Sequence, residues 1–250
     1  MRRNADAAIT ALLGVLLLPG CSAVWPRGGL PEYPMQLPPD VVALSAEEVE
    51  ERLRFLEERL DERREYAWYW QNGWTAFYAL GIAVQATRAG LADSDGKRAD
   101  YAVGAVKAVG GTLNLLMRPI QAQNGADAVR ALPSETLEDR RRQLVVAEEQ
   151  LRINADEADK RYDWVRHVTN VAVNAAGAVI VWKGFDNRTR GWRSFGVGTA
   201  VGEVMILSAP WKPADDWEEY RERFDTRYDD PEVEWSVVPT VGGVALHVQF

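Results

Sequence analysis

Residues able to do chemistry are few in this 250-residue chain, and none falls into a catalytic arrangement. The only histidines are His167, in a helical run, and His247, on a predicted strand. A base–nucleophile pair needs a third group to orient it, and no Gly-x-Ser-x-Gly elbow is present to supply a nucleophile. Cys21 is the single cysteine, so an internal disulfide, a thiolate zinc site and a redox pair are all excluded. Gly110-Gly111 and Gly242-Gly243 lack the Gly-Lys-Ser/Thr that makes a phosphate loop. Carboxylates are abundant, yet nearly all fall on charged helical faces, where solvation or ion pairing accounts for them. The expectation is a non-enzymatic protein with no catalytic residues, no metal ligands and no cofactor. An acid–base pair assembled only in three dimensions is the remaining enzymatic alternative.

Two charges stand out because their surroundings are apolar. Lys107 and Glu203 interrupt runs rich in Ala, Gly and Val, at comparable places in the two halves of the chain. Each would cost roughly 2.5–3.5 kcal/mol in a hydrocarbon interior unless paired. They are therefore expected to form a buried ion pair with each other.

The elements that position these residues begin after an unusual N-terminus. Arg2 and Arg3 precede an apolar stretch from Ala7 to Leu18, closed by Leu18-Pro19-Gly20-Cys21. A basic start, a short apolar run and small residues before a cut describe a secretory signal rather than a spanning helix. Leu18, Gly20 and Cys21 resemble the lipobox of bacterial lipoproteins, with Pro19 departing where Ala or Ser is usual. The resemblance implies cleavage before Cys21 and attachment there of a diacylglycerol and an amide-linked acyl chain. Several acyl chains anchor stably at about 0.8 kcal/mol per buried methylene. Ser22, being other than Asp, implies by the same resemblance the periplasmic face of the outer membrane. The charge balance of 29 basic against 37 acidic residues, net −8, argues against a nucleic-acid partner.

The sequence divides into a signal peptide (1–20), a lipidated cysteine with a Pro-rich, extended spacer (21–44), a first helical repeat (45–119), a second (120–213), and a C-terminal segment (214–250). Ser45-Ala46-Glu47-Glu48 is a capping box that opens one long helix to about Ala89. Val49, Leu53, Leu56, Leu60, Arg63, Ala67, Trp70, Trp74, Phe77, Gly81 and Val84 give it a heptad seam. Ser134-Glu135-Thr136-Leu137 opens a second charged helix. Its seam carries Leu137, Leu144, Leu151, Ala155, Ala158, Tyr162, Val165, Ala172, Ala176 and Val179, with Arg141, Glu148 and Thr169 as polar members. Both long helices lead past Tyr and Trp into apolar runs, and both second runs end at a basic residue and proline (Arg118-Pro119; Lys212-Pro213). The order of these landmarks predicts a duplicated long-helix/short-helix hairpin. The fold class is mainly α: a four-helix cluster near 68–89, 99–118, 165–184 and 194–209, with a coiled-coil stem from 45–67 and 134–163. Asp216 to Arg227 reads as a short amphipathic helix. Val233–Val238 and Val244–Phe250 read as a β-hairpin packed onto the helices.

The apolar runs leave two readings open. Small residues recur at helical intervals (Gly104, Ala108 and Gly111; Gly198 and Gly202), which lets helices approach closely. Aromatic residues sit near the run ends, and Lys183, Arg188, Arg190 and Arg193 crowd the second tip. The small-residue spacing resembles that of glycine-zipper outer-membrane lipoproteins. On the first reading the chain is an envelope scaffold, tether or assembly partner. It joins a protein partner or a second copy through Val49, Leu53, Leu56 and Leu60. On the second its two hairpins insert in the membrane to form or gate a pore.

Overall fold

The computed structural model describes residues 33–224 in full, and beyond them the backbone of two segments, 234–240 and 243–249. The proposed leader and Cys21 lie outside the described residues. The body is helical, with no strand within it.

Helix α1 (Pro39–Ala43) interrupts the segment expected to be extended, and Val41 on it is buried. Pro39 occupies an early helical position, where proline's missing N–H costs no hydrogen bond. Helix α2 (Ala46–Gly90) runs unbroken for 45 residues, and both bonds of the Ser45/Glu48 capping box are formed. Helix α3 (Asp95–Met117) folds back along it. A 3₁₀ turn (Gln121–Asn124) and the single-turn α4 (Asp127–Arg130) lead to α5 (Leu137–Tyr162). The expected start at Ser134 is corrected: Thr136 is the N-cap, boxed with Asp139.

The second half also differs from the first in continuity. The chain breaks at Asp163, whose extended backbone ends α5 and whose carboxylate caps α6 (Trp164–Val179). A π turn (Ile180–Gly184) extends α6, and α7 (Arg188–Leu207) returns along it. Helix α8 (Lys212–Phe224) then runs back beside α2 and α5.

Two zones follow. In the stem, Val49, Leu53, Leu56 and Leu60 of α2 meet Leu144, Ala147 and Leu151 of α5, and Tyr220 of α8 closes the third side. Each buried leucine contributes roughly 1.5–3 kcal/mol. Helix α8 also explains two of the three charged residues on the seams, Arg63 and Glu148. Asp216 binds Arg63 through both oxygens, at 2.6 and 2.8 Å. Glu148, fully buried, accepts from the Tyr220 hydroxyl at 2.6 Å.

In the second zone the seams fail, for a geometric reason. A straight α-helix drifts about 20° per heptad from a perfect 3.5-residue repeat. The 35 residues from Val49 to Val84 are five heptads, so the accumulated rotation is roughly 100°. Trp70 is still buried, whereas Phe77 and Val84 face outward. After Asp163 the α6 seam is inverted: Val165 and Val179 are exposed, while Asn174 and Gly177 are buried.

The backbone of β1 (Glu234–Thr240) runs antiparallel to β2 (Gly243–Gln249), Glu234 opposite Gln249 and Thr240 opposite Gly243. Side chains there, including Phe250 and His247, lie outside the described residues. The expected packing of a hairpin onto the helices is therefore not part of the fold described.

Candidate functional site

The expected Lys107–Glu203 pair does not form. Lys107 on α3 donates from Nζ to Oδ1 of Asn174 at 2.9 Å. Asn174 donates to Oδ1 of Asn170 at 2.9 Å, one turn nearer the stem on α6. Asn170 donates in turn to Oε1 of Glu203 on α7 at 2.8 Å. The other Glu203 oxygen lies 2.5 Å from Nδ1 of His167. The two charges are thus the ends of one hydrogen-bonded line, bridged by two asparagines and closed by a histidine. A single direct ion pair would have left both amides without these partners.

The spine follows from spacing. His167, Asn170, Asn174 and Gly177 are separated by three, four and three residues, which sets them on one face of α6. Opposite, α7 presents Gly198 and Gly202, and the missing side chains make the room. A Cβ at Gly202 would stand 2.0 Å from Asn170 Oδ1 and 2.4 Å from its Cγ. One at Gly198 would stand 2.0 Å from Asn174 Oδ1 and 2.9 Å from Lys107 Nζ. Asn170 also donates to the Thr199 carbonyl at 3.0 Å, while the buried Thr199 hydroxyl has no partner.

Aromatic polar tips join the hairpins at the stem end. Ser208, just past α7, accepts at Oγ from the indoles of Trp70 (3.1 Å) and Trp74 (3.2 Å), and at its carbonyl from Tyr66 (2.7 Å). Tyr162 donates to the carbonyls of Leu207 and Ala209. These bonds satisfy carbonyls that the end of α7 leaves without a helical partner. Beneath them Glu157 accepts from the Gln121 amide at 3.0 Å, and burial raises its pKa above the ordinary carboxylate value. Burial likewise lowers Arg161, set 5.5 Å from the Trp70 ring centre, to about 10.

Val49, Leu53, Leu56 and Leu60, expected to capture a partner, are spent inside the chain, none of them more than 1% exposed. The unpartnered apolar surface is elsewhere. It comprises Phe77, Leu80 and Val84 on α2, Val109, Leu113 and Leu116 on α3, Val165, Val168, Val171 and Val179 on α6, and Val197, Val204 and Leu207 on α7. The heptad seams place Phe77, Val84, Val165 and Val179 at core-facing positions, which is why periodicity alone does not mark this surface. The signal was present in Asn170 and Asn174, whose alignment with Gly177 already marked the close-packed side of α6.

A groove of about 470 Å³ beside the stem is lined by charged residues that pair with one another, Arg130 with Glu57 and Arg140 with Glu50. Among the described residues no three His, Cys, Asp or Glu side chains are grouped to hold a metal ion. Taken singly, none of the described helices is long and apolar enough to cross a membrane. No protein-family model, curated protein or solved structure matches the chain.

Proposed function

We propose that this protein is a non-enzymatic envelope scaffold or tether. It is lipidated at Cys21, held at the periplasmic face of the outer membrane, and presents the helical belt as its contact surface. One observation carries the reading: α6 and α7 turn asparagine, glycine and glutamate inward and valine and leucine outward. Water-exposed helices have the opposite polarity. Monomers rarely expose contiguous apolar patches beyond a few hundred Å², and larger ones mark contact with a partner or a membrane. The stem, with its own seams closed, serves as a rigid mount rather than as the partner-capturing element. The shared landmarks of the halves, each a long charged helix leading to an apolar hairpin, support an origin by duplication.

Fractionation of native envelopes, with mass spectrometry of the N-terminal peptide, tests the anchor. Wild type is expected in the membrane fraction with an acylated Cys21, and Cys21→Ser is expected to keep its leader and lose the acyl mass. An unmodified thiol in wild type would end the lipoprotein assignment.

The second reading, hairpins that form or gate a pore, is favoured by the same inward spine. It predicts release of a trapped dye from vesicles, abolished by Glu203→Ala. Intact vesicles at full protein binding would refute it.

A further inference from the structure

We infer that lipid acyl chains, rather than a second copy of the chain, cover the belt; the inference rests on the body being held at a membrane. Four features favour hydrocarbon. First, the outward apolar surface lies on all four helices α2, α3, α6 and α7, whereas an isologous protein contact takes one face. Second, the belt carries little outward charge. From Tyr66 to Thr87 the chain has no ionisable group but the tyrosines. Elsewhere in the belt Lys107, His167 and Glu203 are hydrogen-bonded in the spine, the last two with about a third of the side chain still exposed, and Arg166 near the stem-side border turns to the Lys160 carbonyl.

Third, the height fits. Trp164 on α6 and Trp182 on the π turn that extends it are eighteen residues apart, about 27 Å at 1.5 Å per residue, against about 30 Å for bilayer hydrocarbon. Fourth, both borders carry rings beside cations, as a bilayer interface favours. Lys183 lies 4.5 Å from the Trp182 ring at the tips, and Lys212 lies 5.3 Å from the Trp211 ring at the stem side. Arg188 and Arg193 add exposed positive charge at the tips, suited to anionic headgroups. Each helix alone falls short of a spanning segment because its inward positions are polar. The assembled bundle answers those polar groups internally and offers lipid only its outside.

The test uses the mature chain with Cys21→Ser, so that no covalent lipid contributes. It is mixed with phosphatidylcholine vesicles containing about one third phosphatidylglycerol and acyl chains brominated near their midpoints. Cosedimentation is expected, with quenching of tryptophan fluorescence by the bromines. Val204→Glu, on the outside of α7, is expected to weaken partition roughly tenfold or more while keeping wild-type helicity. Leu113→Lys on α3 provides a second variant should the first fail to fold. Protein left in the supernatant as a defined oligomer would overturn the inference in favour of a second copy. A supernatant monomer, or vesicle binding without bromine quenching, would overturn it as well. Failure here, with wild type still acylated in native membranes, would leave the anchor standing.

Discussion

Gly202→Ala measures how tightly α6 and α7 are packed. The added methyl would stand 2.0 Å from Asn170 Oδ1 and 2.4 Å from Cγ, so a small tilt of the amide does not relieve it and the side chain must change rotamer. Leaving, Asn170 gives up its bonds to Glu203, to the Thr199 carbonyl and from Asn174. A bond to a charged group contributes about 1.5–3 kcal/mol and a neutral one about 0.5–1.5 kcal/mol, giving a loss of roughly 2.5–6 kcal/mol. Alanine returns about 1 kcal/mol of helix propensity over glycine. The net expectation is a destabilisation of about 1.5–5 kcal/mol, or a fall in Tm of roughly 3–20 °C for a chain of this size. Thermal unfolding followed by circular dichroism reads it. The cycle with Asn170→Ala sharpens the test, because removing the amide removes the clash. The double variant should be no less stable than Asn170→Ala alone. A Gly202→Ala protein as stable as wild type would refute the close approach of α6 and α7 and the spine built on it.

Leu56→Ala should cost about 2–5 kcal/mol, since the leucine is fully buried between α2, α5 and α8. Denaturant unfolding measures the cost; a change below 1 kcal/mol, with altered self-association instead, would restore the stem as an intermolecular seam. Glu157 gives a signed pH dependence. Its folded pKa is raised by burial, so its ionisation disfavours the fold, and stability is lost as pH rises through the ordinary carboxylate value. Glu157→Gln should match wild type near pH 4 and gain on it by pH 7; a variant that loses ground at the higher pH would show the carboxylate to be net stabilising.

The sequence by itself determined the long helix from its capping box, the stem leucines from their heptads and a short helix after Lys212-Pro213 from its amphipathic pattern, though not that helix's return beside the stem. These signals are local: a cap or a seven-residue repeat is written within one turn or two of helix. Arg63 and Glu148 were legible as charged seam positions, yet their partners Asp216 and Tyr220 lie far along the chain, and no spacing rule reaches them. Tertiary structure decided three further things. The break at Asp163 separates two helices that pattern alone joined. The slow rotation of a straight helix against its heptads carries Phe77 and Val84 from the seam to the outside. And the paired placement of Lys107 and Glu203 implied a direct ion pair, where α6 interposes two asparagines between them. Which face of a helix is inside depends on what its neighbours can leave room for. Here glycines on α7 admit amides, so the polar side of α6 turns inward and its valines turn out.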